Sequence, residues 1–177
     1  MEFATILEIK PFEKGKRVLL DFAQDFLPTD YIFVGNTFYG FFAIPSENRQ
    51  SVDYLPRDFR FNAGAINSYI LTDTGVKYLT EIKCGQKVLV YKNNSLTPLS
   101  VARVKCEIRD LTLVKAKLKD KEFSIIVQSG NTTAFVGKDN LIYLNELKVG
   151  DKVLIKPHEK SSHLGQEKIE FCEEYWW

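Results

Sequence analysis

Arg57-Asp58-Phe59-Arg60-Phe61-Asn62-Ala63-Gly64-Ala65 is the densest run of chemically capable residues in this chain. A strand would place Arg60 and Asn62 on one face and Phe59 and Phe61 on the other. Arg57 and Arg60 could then fork around a carboxylate, which planar guanidinium groups suit. The small residues 63–65 would let a ligand or another backbone come close. A solvated strand end accounts for the same letters. A second run places Arg103, Lys105, Glu107 and Arg109 on one strand face. It reads either as an ion-paired, solvated ladder or as the charged wall of a polar site. In the second case Lys105 could form a Schiff base with a carbonyl substrate. The only histidines are His158 and His163, both in a Lys/Ser-rich stretch. They read as two exposed loop residues, or His163 beside Gly165 serves as an acid–base group or metal ligand. There is no phosphate-binding glycine loop, zincin spacing or nucleophile elbow.

Composition narrows the classes. The 177 residues suffice to bury a core without disulfides or metals. Lys and Arg total 24 against 23 for Asp and Glu, so no net charge draws nucleic acid or an anionic membrane. Cys84, Cys106 and Cys172 are scattered, without CxxC spacing, and read as reduced thiols. The opening MEFATILEIK lacks the apolar run of a signal peptide. The longest apolar stretch, Phe38 to Ile44, is too short for a transmembrane helix. The expectation is a soluble, cytoplasmic protein that engages neither nucleic acid nor membrane.

The elements that must carry these residues are strands. Apolar and polar residues alternate with a period of two through Phe3–Lys10, Val18–Phe22, Val88–Val90, Val104–Cys106 and Leu111–Leu113. Val114–Lys119 and Phe123–Val127 read as a hairpin turning at Asp120-Lys121. Turn signals at short intervals favour a barrel or sandwich. One phrase is said twice: Tyr78-Leu79-Thr80-Glu81-Ile82-Lys83-Cys84-Gly85 returns as Tyr143-Leu144-Asn145-Glu146-Leu147-Lys148-Val149-Gly150, an offset of 65 residues from Gly85 to Gly150. Each copy reads as one helical turn, a glycine at positive φ, and a strand. Glu13–Leu20 looks like a fainter third copy. The fold class expected is all-β, with small β-barrel-like units and an internal duplication. Residues 1–58 would form an N-terminal β unit ending in a polar loop (46–60). Residues 59–177 would form the duplicated barrel unit with a C-terminal tail.

The order of motifs resembles type II 3-dehydroquinate synthase, the archaeal-type enzyme. The matching pieces are Glu8-x-Lys10-Pro11, Gly15-x-Arg17-Val18, Phe59-Arg60-Phe61-Asn62-Ala63-Gly64-Ala65, the Tyr78–Gly85 phrase, Arg103-Val104-Lys105-x-Glu107-x-Arg109, Ile126-Val127-Gln128 and Leu147-Lys148-x-Gly150-Asp151. His163-Leu164-Gly165 resembles a His-Phe-Gly of that family. The match is to the family's C-terminal half only. Where the family tends to have Asn-Ala-Gly-Ala-Val-His, this chain continues with Ile66-Asn67. Where it tends to have Gln-Asn-Ala-Glu-Thr, this chain has Gln128-Ser129-Gly130-Asn131-Thr132. Both changes remove acid–base capacity.

The resemblance implies cyclisation or deamination of an amino-keto sugar acid towards dehydroquinate- or aminohydroxybenzoate-type products, in the shikimate pathway to aromatic amino acids. It implies NAD or a divalent metal such as manganese as cofactor. As partner it implies a separately encoded N-terminal subunit or a homo-oligomer. Lys105, Glu107 and His163 would be catalytic. Arg57, Arg60, Asn62, Arg103 and Gln128 would bind substrate. The competing expectation is a non-catalytic binding or scaffold module that has kept the fold.

Overall fold

The structure is a computed structural model that describes residues 1–50 and 54–158. Its fourteen strands are β1 (Glu2–Pro11), β2 (Gly15–Phe22), β3 (Tyr31–Thr37), β4 (Gly40–Glu47), β5 (Arg57–Ala65), β6 (Tyr69–Thr72), β7 (Gly75–Tyr78), β8 (Lys87–Lys92), β9 (Ser95–Arg109), β10 (Leu111–Leu118), β11 (Lys121–Gln128), β12 (Ala134–Val136), β13 (Leu141–Tyr143) and β14 (Lys152–Pro157). The described residues contain no α-helix, only one 3₁₀ turn at Leu79–Glu81. No helix among them is long and apolar enough to cross a membrane.

The ring β4–β5–β2–β9–β8–β6–β3 closes back on β4 through antiparallel pairs, giving a seven-stranded barrel. Beyond β4 the sheet continues through β14, β1, β10 and β11. Strand β1 lies between β10 and β14, and β2 between β5 and β9. The N-terminal strands are thus woven among those that follow residue 59. Closure leaves the seven ring strands without a free edge, while β11 and β7 end the sheet.

The duplication is visible bond by bond. Leu79 N–H donates to Ser68 O at 2.8 Å, and Leu144 N–H to Thr133 O at 2.9 Å. Gln86 Oε1 accepts from Lys83 N–H at 2.7 Å, and Asp151 Oδ2 from Lys148 N–H at 2.9 Å. Gly85 (φ 86°) and Gly150 (φ 97°) take the left-handed conformation that redirects each chain. Their N–H groups donate to Val101 O and Ile6 O respectively. The first copy is therefore completed by β9, and the second by β1. The suspected third copy differs: Gly15 opens β2 without a 3₁₀ turn or positive φ, because β2 is a strand held on both sides.

The main core runs through both copies and includes Ile6, Phe42, Phe61, Val88, Phe123 and Ile155. Phe22, Phe26 and Phe61 meet edge-to-face, with centroids 4.8–5.7 Å apart. Each fully buried phenylalanine contributes about 1.5–3 kcal/mol. The β10–β11 hairpin turns at Lys119-Asp120, one residue earlier than its sequence suggests. Leu118 pairs with Lys121, and Lys119 takes φ 57°. The expected loop over 46–60 is shorter at both ends, since β4 reaches Glu47 and β5 begins at Arg57.

Candidate functional site

A cleft of about 230 Å³ opens where β2, the end of β4, the start of β5 and the end of β9 meet the turn after β11. Three of the sequence candidates for substrate contact, Arg57, Arg60 and Gln128, line it together with Lys105 and Glu107. Asn62 reaches the cleft through Gln128, donating from Nδ2 to Gln128 Oε1 at 2.9 Å. Its own Oδ1 is buried and without a partner. Arg103 does not line the cleft. It is turned onto Asp21, which it shares with Arg60. His163 lies outside the described residues.

Local structure explains these placements. Gly64 (φ 91°) sits where β5 passes over β11, and a Cβ there would lie 2.6 Å from Ile126 O. The glycine of the Asn-Ala-Gly-Ala segment thus permits the backbone approach that lets Asn62 meet Gln128. A β-bulge interrupts the β4–β5 pairing: Ser46 faces Phe61, but Glu47 faces Arg57. Bulges re-aim side chains, and here the bulge brings Glu47 and Arg49 into the cleft wall.

Sequence reasoning missed Arg17, Glu47, Arg49 and Tyr143 as lining residues. Arg17 carried a signal, as part of the Gly15-x-Arg17 motif. Glu47 and Arg49 lay in a segment read as loop. Tyr143 opens the second copy of the doubled phrase. Its counterpart Tyr78 stacks on Tyr69 at 4.6 Å, whereas Tyr143 faces the Arg49 guanidinium at 5.5 Å. Equivalent residues in the two copies are used differently.

Charge dominates the cleft. Six cationic residues line it (Arg17, Arg49, Arg57, Arg60, Lys105, Arg109), against two carboxylates, Glu47 and Glu107. Glu107 is saturated: Oε2 accepts from Arg17 at 2.6 Å and Arg109 at 2.5 Å, and Lys105 Nζ lies 3.4 Å from Oε1. The Arg17 hydrogen bond, more than any other contact, holds its carboxyl below the usual glutamate range. Glu47 is the opposite case. Burial pushes its carboxyl up, and the fields of Arg60, Arg49, Arg17 and Arg57 only partly offset that. Among the described residues it makes no ion pair within 4.0 Å. Arg49 NH2 donates to Thr132 O at 2.6 Å, but its NH1 is buried without a partner, as is Arg17 Nε.

This arrangement suits an anion. Buried guanidinium N–H groups left unmatched incur a desolvation cost that a ligand oxygen would relieve. The described residues hold no group of three or more His, Cys, Asp or Glu placed for a metal. Both cleft carboxylates stand amid guanidinium groups, an environment that disfavours a divalent cation.

Comparison with known proteins agrees with the motifs. Residues 3–175 match the family model described as the 3-dehydroquinate synthase II C-terminal domain. A 3-dehydroquinate synthase of Methanococcus maripaludis is 37% identical over 168 residues, covering 93% of this chain and 46% of that protein. One from Archaeoglobus fulgidus is 36% identical over 173 residues, covering 97% and 54%. One from Methanosarcina barkeri is 36% identical over 172 residues, covering 96% and 45%. The chain spans about half the length of the curated relatives it matches. No solved structure matches it.

Proposed function

This chain belongs to the 3-dehydroquinate synthase II family, matched through its C-terminal domain, and we propose that it contributes the anion-binding half of a cytoplasmic active site for an amino-keto sugar acid. The observation that carries this reading is the six-to-two excess of cations over carboxylates in the cleft, with buried N–H groups of Arg17 and Arg49 unmatched. A substrate carboxylate satisfies both the charge and the hydrogen-bonding deficit.

In this reading Arg57 and Arg49 hold the carboxylate, and Arg60 adds positive field from its station on Asp21. Gln128, braced by Asn62, orients a hydroxyl or carbonyl. Lys105, whose Nζ lies 3.4 Å from Glu107 Oε1, donates to the carbonyl oxygen. His163 remains a proposed proton carrier. A separately encoded N-terminal half would complete the site. NAD, which the resemblance implies, would accept hydride when bound, and the arginines suit its pyrophosphate as they suit a carboxylate. The cleft's donor set does not fit manganese.

The test has two parts. Calorimetric titration with 3-dehydroquinate should give heat that weakens with salt and is lost in Arg49→Ala and Arg57→Ala. Mixing the chain with the N-terminal half of the Methanococcus maripaludis relative, the amino-keto sugar acid and NAD should then produce 3-dehydroquinate. Binding without turnover in that mixture supports the non-catalytic module instead. Absence of binding overturns the cleft as the ligand site.

A further inference from the structure

Glu47 and Glu107 share one cleft but are built for different tasks. Glu107 meets Arg17, Lys105 and Arg109 and is fixed as an anion. Glu47 is half-buried, set at a β-bulge, and free of close ion pairs among the described residues. We propose that Glu47, and not Glu107, is the proton-exchanging group of the cleft, taking a proton from solvent as an anionic ligand binds. This rests on the reading of the cleft as an anion site.

The argument is electrostatic. Arg17 faces Glu47 from β2, Arg49 from the segment after β4, and Arg57 and Arg60 from β5. Their positive field favours the ionised form of the half-buried carboxyl. An anion seated among those guanidinium groups cancels that field and adds a like charge beside Glu47. Across the cleft, β9 presents Lys105 and Arg109, but Glu107 already engages both. The phenols of Tyr54 and Tyr143 complete the lining. Glu47 is thus the group whose protonation relieves the repulsion. The proton comes from water or buffer and adds to a carboxylate oxygen, leaving a neutral acid. That acid stands where it can return the proton to a bound carbonyl or amine.

Calorimetry with quinate as probe, in two buffers of different ionisation enthalpy, reads the protons taken up per anion bound. Wild type should show net uptake. Glu47→Gln should bind quinate without uptake, and Glu107→Gln should retain it. Uptake that persists in Glu47→Gln, or is lost only in Glu107→Gln, overturns the proposal while leaving the anion site standing. No quinate binding by wild type overturns the anion site and this inference with it. Should Glu47→Gln fail to fold, carbon-13 titration of assigned glutamate carboxyls in wild type gives the same answer. The Glu47 carboxyl should titrate above the usual glutamate range and move higher with quinate; a Glu47 curve unmoved by bound quinate overturns the proposal.

Discussion

Arg60 grips Asp21 with two parallel hydrogen bonds, Nε to Oδ1 at 2.6 Å and NH2 to Oδ2 at 3.0 Å, and both side chains are buried. Arg103 adds a third donor, Nε to Oδ2 at 2.8 Å, from a side chain that is 59% exposed. The pair ties β5 to β2 beneath the cleft and fixes the guanidinium that faces it.

Breaking that grip from the acidic side strands a buried cation. Asp21→Ala should lower stability by about 3–5 kcal/mol, whereas Arg103→Ala, which removes an exposed partner, should cost about 1 kcal/mol or less. Urea denaturation of the two variants measures the difference. The pH dependence has a definite sign. Burial alone would raise the Asp21 pKa, but hydrogen bonds from Arg60 and Arg103 outweigh it and leave the value lowered. This contribution is therefore complete above the unfolded value of about 3.9 and is lost as pH falls through the folded one. Asp21→Ala should flatten that part of the acid-denaturation curve.

Gly64 and Gly85 both have positive φ but differ in surroundings. A Cβ on Gly85 meets nothing within 4 Å, while one on Gly64 would strike the Ile126 carbonyl. Gly85→Ala should cost only the left-handed penalty of roughly 1–2 kcal/mol. Gly64→Ala should cost clearly more, because β5 must also move from β11. That movement separates Asn62 from Gln128, so quinate affinity should fall in Gly64→Ala and stay unchanged in Gly85→Ala. Thermal melts and calorimetry on both variants check this.

What the sequence discloses and what it hides follow from the range of the forces involved. The doubled phrase is legible because its mechanics are local: a tight turn (3₁₀ in the first copy, a plain turn and not the expected helical one in the second), a glycine and a side-chain bond three residues long. Arg57, Arg60 and Gln128 are legible because strand alternation and a familiar motif order mark them. Arg103 shares its strand face with Lys105, yet Asp21 on the neighbouring strand claims it, and strand alternation does not disclose that pairing. Glu47 is hidden for a similar reason. Its position depends on a bulge between β4 and β5, which a polar stretch does not distinguish from a loop. That β1 completes the second copy is equally invisible, since the bonds of Ile6 with Gly150 and Asp151 join segments far apart in sequence.

Glu107 restrains three of the cleft's cations, so its removal should strengthen anion binding. In Glu107→Gln, Lys105, Arg17 and Arg109 keep at most a neutral partner, and the net positive charge facing a ligand rises by one. Quinate should bind several-fold more tightly, with a steeper dependence on salt. Calorimetry across a series of salt concentrations checks it. Unchanged affinity would show that the β9 cations lie outside the bound anion's reach.

His158 supplies a second pH signature, away from the cleft. Its ring sits edge-on to Phe38 and Phe41, each 5.6 Å between centroids, and its N–H donates to Tyr39 O at 2.9 Å from the backbone. Burial first, and Lys156 second, lower its pKa. The folded chain therefore binds a proton at His158 less readily than the unfolded chain does. Stability from this site is complete above the unfolded value of about 6.5 and falls as pH drops through the folded value. A phenylalanine keeps the aromatic contacts and cannot take up a proton. His158→Phe should thus match or exceed wild type in mildly acidic buffer and remove the stability slope between neutrality and the carboxylate range. Urea midpoints at a series of pH values distinguish the two curves, and a slope that survives in His158→Phe would assign that proton uptake to another group.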